Sequence, residues 1–438
     1  MCGRRGNRNR LLVATISREP VSGIKSQARS RQIDSLFLIR LTSNQVSVVN
    51  LQVASAHGLN TTQSADVYLS RVKKPVEITD RCATYLAIME MRNRIAMPHD
   101  IPSKRLQLSS LMQRHISQPA FEALVVCPRD QAELRREENF LVCDEGHRYR
   151  VVEGIPILLV SEAEQTHIEG TRALAIAETG DISQLRQIQI IPGEIDPFVK
   201  NAIGATNGGL YQHLVGNLTE YPIPELRLPP GEGKLFLEIG CNWGRWCIAA
   251  SRAGYQPIGI DPSLKGIRAA RRVAAQLGID ALYLVADGRY LPFRNSVMDE
   301  IFSYSVLQHL SKDHVRLILG EVHRVLKPGG ETLVQLPNAM GARCLYHQAR
   351  RGFRKARDFE VRYWTIPELK SMFSDEIGPT RISVDGYLSL NAQISDVRFL
   401  PTRYKALVYS SEALRRVSKL IPPLSYVADS LYVTATRA

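Results

Sequence analysis

The chain has 438 residues, of which 44% are hydrophobic and 23% charged. This is more than one ordinary domain requires, and the composition is typical of a soluble globular protein. No stretch approaches the ~18 apolar residues of a membrane-spanning helix, which argues against membrane insertion. The net charge is +13, but residues 1–111 hold 17 Lys and Arg against 7 Asp and Glu, so the rest is nearly neutral. This distribution argues against a nucleic-acid partner, because phosphate backbones bind broad basic surfaces.

Seven cysteines are scattered along the chain, and their number is odd. They form no disulfide framework, and the first residues lack an apolar signal segment. Both observations predict a cytoplasmic protein.

Residues 1–111 are rich in Ser, Asn, Gln and Arg and have weak periodicity. The short apolar stretches there are not organised into a pattern of strands or helices. We therefore expect residues 1–111 to be a disordered leader, or an extension translated upstream of the true start.

The sequence pattern changes after Ala123, where short apolar runs alternate with turn residues. Residues 112–165 are predicted to form a small β-rich module. Residues 166–228 first look helical and then irregular, and they end in the Pro- and Gly-rich stretch YPIPELRLPPGEGK. We expect this segment to be a helical connector and a lid.

From residue 229 to 438, apolar runs alternate with helical patterns. This alternation predicts βαβ units and a doubly wound α/β fold with a mostly parallel sheet. The predicted strands are 235–239, 257–260, 282–285, 301–304 and 332–336, followed by 381–384 and 431–435.

The sharpest signal is LFLEIGCNWGRW, in which a strand leads through two glycines, Gly240 and Gly244, into a helix. Glycine allows a ligand to approach the backbone, and a helix N-terminus favours an anion. A dinucleotide site would need another glycine where Asn242 stands. Glu238 instead suggests a ligand that carries both a carboxylate and an ammonium group.

The next two strands also end in acidic residues. Asp261 comes 21 residues after Gly240, where a carboxylate can accept hydrogen bonds from two ribose hydroxyls. Asp287 follows the third strand, where it could accept from an adenine amino group. Either residue could instead cap the helix that follows it.

The segments EIGCNWGRW, GIDP, VADGRYLPF, MDEIFSYSVLQHL and EVHRVLKPGG resemble class I S-adenosylmethionine-dependent methyltransferases. They are most similar to the ubiquinone- and menaquinone-biosynthesis group. The resemblance covers about residues 215–438 and implies a final antiparallel strand. It also implies S-adenosyl-L-methionine as cofactor, held by the acids, the glycine turn and the ends of the second to fourth strands: Glu238, Gly240, Cys241, Asn242, Gly244, Asp261, Pro262, Asp287, Gly288, Tyr304 and Ser305.

His309 follows the fourth strand and is the best-placed candidate for a catalytic base. It could equally make a structural hydrogen bond at a helix start. The segment 338–364 is basic and aromatic, and it could form a lid that attracts an acidic acceptor or a solvated helix face. Tyr211 and Tyr221 are candidates to close the site from the other side.

Cys127, Asp130, Cys143 and His147 have the spacing of a zinc ribbon in which Asp130 replaces the second cysteine. This short segment is similar to the small proteins that activate tRNA and release-factor methyltransferases, and to the zinc knuckle of an rRNA guanine methyltransferase. Structural zinc sites favour thiolate and imidazole ligands. We therefore expect a metal-free ribbon that is held together by its apolar residues.

The sequence thus predicts an enzyme that methylates an O, N or C atom of a small molecule, such as a lipid, quinone or secondary metabolite. Two alternatives remain open at this point. One is an RNA base methyltransferase that uses the ribbon to hold RNA, and the other is a non-catalytic partner subunit with a vestigial cofactor site. The acceptor and the oligomeric state are not encoded in any motif that we recognise.

Overall fold

The computed structural model describes residues 124–438 except 184, 186, 190 and 389–391, together with the backbone of four strands between residues 10 and 71. The chain divides into two units, Met1–Lys104 and Arg105–Ala438.

The first unit contains a four-stranded antiparallel sheet whose strands follow chain order. They are β1 (Arg10–Arg18), β2 (Gln32–Thr42), β3 (Gln45–Ser55) and β4 (Tyr68–Arg71). The expectation that no strand pattern organises this segment is wrong. The sequences QIDSLFLIRLT and QVSVVNLQVAS are rich in β-branched and apolar residues, and two residues separate them, which favours a hairpin. That residues 1–111 are a leader or an extension stays a prediction, and the other residues in this range lie outside the described part.

The second unit is built on one eleven-stranded sheet, with the strand order β14-β15-β13-β12-β9-β10-β11-β8-β7-β6-β5. Its strands in chain order are β5 (Arg135–Glu137), β6 (Phe140–Val142), β7 (Arg148–Val152), β8 (Ile155–Leu158), β9 (Leu235–Ile239), β10 (Gln256–Asp261), β11 (Leu282–Ala286), β12 (Met298–Tyr304), β13 (Leu326–Pro337), β14 (Thr380–Gly386) and β15 (Ser430–Thr436).

Eight α-helices in the described part of this unit accompany the sheet. They are α1 (Ile168–Thr179), α2 (Pro197–Thr206), α3 (Arg245–Arg252), α4 (Leu264–Leu277), α5 (Lys312–Val325), α6 (Ala342–Arg350), α7 (Ile366–Glu376) and α8 (Thr402–Ser418). None of the helices in the described ranges is both long enough and apolar enough to cross a bilayer.

The α/β fold expected from the alternating pattern is confirmed. Strands β9 to β13 pair in parallel, and β15 runs antiparallel between β13 and β14. The central strands are buried on both faces, which explains their nearly continuous apolar sequences. The chain passes from β9 to β10 and β11 on one side, and β12 and β13 lie on the other. This reversal opens a crevice at the carboxyl ends of β9 and β12, where open α/β sheets bind ligands.

The β-rich module of residues 124–160 extends the same sheet. Strand β8 pairs in parallel with β11, so that Ile157 lies opposite Val285 and Leu158 opposite Ala286. Glu153, in the turn before β8, accepts hydrogen bonds from Arg268 on α4 at 2.8 and 2.9 Å. The sequence indicated the module but not this pairing, which fixes the module beside the third strand of the crevice.

Candidate active site

The glycine turn has the backbone that its sequence requires. Gly240 and Gly244 have φ angles of 81° and 78°, and Asn242 between them has a φ of 47°. A Cβ on Gly240 would lie 2.3 Å from Val306 Cγ2, so only glycine fits there. The N–H groups of Gly240 and Cys241 both donate to the carbonyl of Ile260, at 2.8 and 2.9 Å. The turn is therefore fastened to β10, and these two N–H groups have partners within the protein.

Glu238 is buried one residue before the end of β9, and its carboxyl accepts the N–H of Cys247 at 2.9 Å. This contact ties the first turn of α3 to the strand. Burial raises the pKa of Glu238 to about 8, although the N–H of Cys247 and the charge of Arg245 oppose the shift. Within the described residues, no Lys, Arg or His forms an ion pair with Glu238. The carboxyl of Glu238 therefore has a backbone N–H partner but no ion-pair partner among the described residues.

Asp261 is the last residue of β10 and is 8% exposed. One carboxylate oxygen accepts the N–H of Ser263 at 2.8 Å, and the other accepts the N–H of Asn242 at 2.9 Å. The first bond is a contact at the start of the following helix, the alternative role that the sequence left open for Asp261. The second holds the glycine turn, so Asp261 joins the two strand ends. Burial raises its pKa.

Asp287 directly follows β11, and its carboxylate is engaged by Arg289. The Nη2 of Arg289 donates to it at 2.6 Å, and the same nitrogen donates to the carbonyl of Glu164 at 2.6 Å. Arg289 is 5% exposed. Sequence reasoning missed this residue, although Arg two positions after an acid at a strand end was the available signal.

Tyr304 and Ser305, at the end of β12, belong to a hydrogen-bond network that crosses four strands. Tyr304 Oη donates to Asp385 at 2.8 Å, and Ser305 donates to Gln335 at 2.9 Å. The network closes because Gln335 donates to Ser430, which donates to Asp385, both at 2.8 Å. It fixes the backbone of Ser305 at a φ of 59°. The three partners on β13, β14 and β15 were not found from the sequence.

His309 lies in a short 3₁₀ turn, Leu307–His309, after β12. Its Nδ1 is 2.7 Å from the carbonyl of Phe359, which can only accept, so Nδ1 carries the proton. Nε2 is then an acceptor in the neutral ring and lies 3.2 Å from Gln308 Nε2. Burial lowers the pKa of His309, so the ring is neutral near pH 7.

Two covering segments meet beside the site. The ring of Phe359, in the predicted lid, stacks on His309 with centroids 4.1 Å apart and contacts His167 at 5.0 Å. His167 caps α1, whose Gly170 lies close to Pro262. Segments far apart in the chain thus form an arch at the ends of β10 and β12. The contribution of His167 was not anticipated from the sequence.

The remaining candidates are mostly engaged within the protein. Tyr221 packs on Trp243 of the glycine turn at 5.9 Å and accepts the N–H of Asp196 at 2.7 Å. In the basic segment, Arg354 pairs with Glu360 at 2.7 Å. The lid charges are therefore partly neutralised.

Tyr211 is 1% exposed and interacts with Arg245 and Asp396, which makes it part of a buried polar cluster. Arg245 is the first residue of α3 and is 7% exposed. Its Nη1 and the Oη of Tyr211 are buried without a hydrogen-bond partner among the described residues. The charge of Arg245 also lowers the pKa of Glu238, against the larger effect of burial.

The site fits S-adenosylmethionine on three observations. Glu238, just before the glycine turn, is a buried carboxyl without an ion pair among the described residues, and Asn242 Oδ1, inside the turn, is buried without a hydrogen-bond partner among them. Asp261 offers a buried carboxylate at the neighbouring strand end. All three groups are acceptors: Glu238 and Asn242 Oδ1 suit the ammonium of that molecule, and Asp261 suits its ribose hydroxyls.

Comparison with known proteins also indicates a methyltransferase domain. Residues 236–330 match a family described as a methyltransferase domain. The ubiquinone biosynthesis O-methyltransferase of Brucella ovis is 33% identical over 109 residues, which cover 25% of this chain and 43% of that relative. The chain thus aligns with less than half the length of this curated relative.

Two solved structures resemble the chain more loosely. An S-adenosylmethionine-dependent methyltransferase from Mesorhizobium loti has a TM-score of 0.34 and 19% identity, over 48% of this chain and 94% of that one. Phosphoethanolamine N-methyltransferase 2 of Haemonchus contortus, solved with S-adenosyl-L-methionine, has a TM-score of 0.36 and 15% identity, over 57% of this chain and 60% of that one.

The family match begins within β9 and extends past α5, and it includes Glu238, the glycine turn, Asp261 and Asp287. The sequence resemblance and the sheet order agree with it. The chain carries a class I methyltransferase domain, whose methyl donor is S-adenosylmethionine.

Proposed function

We propose that this protein transfers the methyl group of S-adenosylmethionine to an O, N or C atom of a small-molecule acceptor. The observation that carries the proposal is the pair of buried acids, Glu238 and Asp261, on adjacent parallel strands on either side of the glycine turn. The cofactor, when bound, supplies an activated methyl group on a sulfonium. The protein then has to align donor and acceptor and to exclude water.

Each part of the crevice has a role in this proposal. Glu238 receives the ammonium of the donor, and the positively polarised N-terminus of α3 receives its carboxylate end. Asp261 accepts from the ribose hydroxyls, and Asp287 with Gly288 borders the adenine. Because Arg289 holds Asp287 in place, the orientation of that carboxylate is fixed before the ligand arrives.

The acceptor is proposed to be acidic, and Arg245 supports this view. Its guanidinium is buried within electrostatic range of Tyr211 and Tyr304, and Nη1 has no hydrogen-bond partner among the described residues. A buried cation with an open donor favours an anionic oxygen. Because the charge of Arg245 also acts on Glu238, an acceptor bound there would lie near the methionine end of the donor.

His309 is proposed as the base for an acceptor that must lose a proton. Its neutral ring presents Nε2 as an acceptor, because Nδ1–H is held by Phe359. Once a methyl acceptor has been identified, His309→Gln should lower the kcat of its methylation by about 100-fold or more. The rate of the wild-type protein should rise with pH through a pKa below the ordinary 6.5 of histidine, and the variant should lose this limb.

A control for this experiment is His323→Gln, in the last turn of α5, which should leave the profile unchanged. An unaltered pH profile in His309→Gln would assign that ring a structural role only.

If Glu238 receives the ammonium of the donor, donor binding should change the protonation of Glu238. Its pKa of about 8 lies above the ordinary 4.5, so the folded protein holds a proton that the unfolded chain releases near pH 4.5. The stability from this group is complete below pH 4.5 and is lost as pH rises through 8. The ammonium of the donor favours the carboxylate, so binding at pH 7 should release a proton. Calorimetry in two buffers of different ionisation enthalpy measures that release.

Glu238→Gln is the control, because its amide oxygen can still accept the N–H of Cys247. The variant should bind more weakly, release fewer protons and show a flatter dependence of Tm on pH between 5 and 8. Burial and Glu331 also raise the pKa of Glu300 to about 8, but Glu300 is present in both proteins. Equal proton release by both proteins would contradict the role of Glu238.

The proposed reaction is tested by incubating the pure protein with methyl-labelled donor and a fractionated cell extract. We expect label in a small molecule, identified by mass spectrometry, and much less label with Asp261→Ala at a donor concentration that does not saturate the variant. Label in RNA would favour the alternative reading of the ribbon, although residues 112–438 carry little net positive charge. Donor binding without transfer in any extract would favour a non-catalytic partner subunit.

We place the protein in the cytoplasm. The five cysteines of the described part are buried and form no disulfide among themselves, as a reducing compartment would leave them.

A further inference from the structure

Four side chains of the β-rich module converge at two facing turns, outside the cofactor crevice. Their metal-ligating atoms all lie within 4.8 Å of one another, and they belong to Cys127, Asp130, Cys143 and His147. The first two residues belong to the turn before β5, and the other two to the turn between β6 and β7.

Four of the six separations between the ligand atoms can be compared with those of a tetrahedral metal site. His147 Nδ1 lies 3.4 Å from Cys143 Sγ and 3.6 Å from Cys127 Sγ. Asp130 Oδ2 lies 2.8 Å from His147 Nδ1 and 3.3 Å from Cys143 Sγ. Zinc bonds of about 2.0–2.3 Å at tetrahedral angles place ligand atoms roughly 3.3–3.8 Å apart. Three of the four separations lie in that range, and the fourth is 0.5 Å shorter.

Backbone hydrogen bonds shape both turns for this arrangement. Cys127 O accepts the N–H of Gln131 at 2.9 Å, and Cys143 O accepts that of Gly146 at 3.0 Å. Asp130 Oδ1 accepts the N–H of Ala132 at 2.9 Å, which leaves Oδ2 to face the cluster. The carboxylate is therefore aimed where a second thiolate of a ribbon would stand.

A second layer of hydrogen bonds orients the side chain of Cys127. Arg129 Nη1 donates to Tyr149 Oη at 2.6 Å, so the hydroxyl hydrogen of Tyr149 is free to point elsewhere. Tyr149 Oη lies 3.1 Å from Cys127 Sγ, within reach to donate to it. Such outer contacts orient metal ligands and stabilise their charged form.

We propose that Cys127, Asp130, Cys143 and His147 bind one structural Zn²⁺ ion, with Asp130 as the fourth ligand. Two sulfurs with one imidazole select zinc over the hard cations, and four protein ligands close the site as structural zinc sites are closed. This inference reverses the expectation of a metal-free ribbon. That expectation followed from the missing thiolate, whereas the geometry puts a carboxylate oxygen in its place.

The place of the site in the fold gives the ion a structural task. Arg129 also donates to Glu162 at 2.6 Å, in the segment after β8. This segment contains Glu164, whose carbonyl receives Arg289. The ion would hold together the turns at the outer strands β5, β6 and β7 of the sheet. Because β7 pairs with β8, it would also support β8, the strand next to β11.

The test uses the full chain, purified without chelator and analysed for metals. We expect about one zinc per chain, and a strong chelator should lower Tm by several degrees, because metal binding contributes folding free energy. Replacement by Co²⁺ should give the intense visible absorption of a tetrahedral site with sulfur ligands. Less than a few tenths of a zinc per chain, with a Tm that does not respond to chelator, would overturn the proposal.

Variants then identify the fourth ligand. Asp130→Ala should lose most of the zinc, whereas Asp130→Cys should retain it and serves as the second variant should alanine prevent folding. Asp144→Ala is the matched control, since this exposed carboxylate lies between Cys143 and His147 in sequence but faces Arg135. Full zinc in Asp130→Ala with an unchanged cobalt spectrum would exclude Asp130 as a ligand and contradict the proposal.

Discussion

Replacing Asp261 by alanine should weaken the binding of S-adenosylmethionine at least about tenfold, from the loss of hydrogen bonds to a charged acceptor. Two effects act together. The variant loses the acceptor for the ribose hydroxyls, and it also loses the carboxylate oxygen that holds the N–H of Asn242 at 2.9 Å. The glycine turn would therefore become less ordered in the absence of ligand. Calorimetric titration of the folded variant measures the loss.

Two further variants separate these effects. Asp261→Asn keeps one acceptor oxygen without the charge and should bind with intermediate affinity. Asp280→Ala removes an exposed carboxylate between α4 and β11 and should bind like the wild type. Unchanged affinity in a folded Asp261→Ala protein would refute the assignment of the ribose site.

Replacing Arg272 by leucine should destabilise the second unit by about 3–5 kcal/mol, because it leaves a buried carboxylate uncompensated. Arg272 Nε lies 2.6 Å from Asp196 Oδ2, and the two residues are 3% and 2% exposed. Asp196 also caps α2, which packs over Trp243 beside the glycine turn. The free energy of unfolding in urea measures the loss.

Arg316→Leu is the matched control. Its pair with Glu376 has a similar distance of 3.0 Å, but the Arg316 side chain is 58% exposed. Exposed pairs contribute about 0–1 kcal/mol, so this variant should remain close to the wild type. If both variants lost the same free energy of unfolding, the buried pair would contribute no more to stability than the exposed pair. The pair would then not be what joins residues 166–228 to α4.

The sheet and the order of the site residues could be predicted from local sequence. Buried parallel strands are short, apolar and bounded by glycine or acidic residues, so β9 to β12 are visible as runs that end at Ile239, Ile260, Val285 and Tyr304, each within one residue of the end of its strand. Because parallel strands end at one edge, their last residues had to lie together. The left-handed backbone at Asn242 could also be anticipated, since asparagine tolerates it better than most residues.

Partners that come from distant segments could not be predicted. Tyr304 and Asp385 are 81 residues apart, and Ser430 lies 45 residues beyond Asp385. Which polar groups pair at such separations depends on the packing of whole elements. The pairing of β8 with β11 was missed for the same reason. In the first unit, the alternation in β2 and β3 was present in the sequence but was outweighed by the polar composition around it.

The central claim is that S-adenosylmethionine binds at the carboxyl ends of β9 and β10. Equilibrium dialysis of the wild-type chain with labelled S-adenosylmethionine tests it most directly. The account predicts saturable binding of about one molecule per chain, displaced by S-adenosylhomocysteine. A folded protein that binds no donor at saturation, or binds it without displacement by the product, would contradict it.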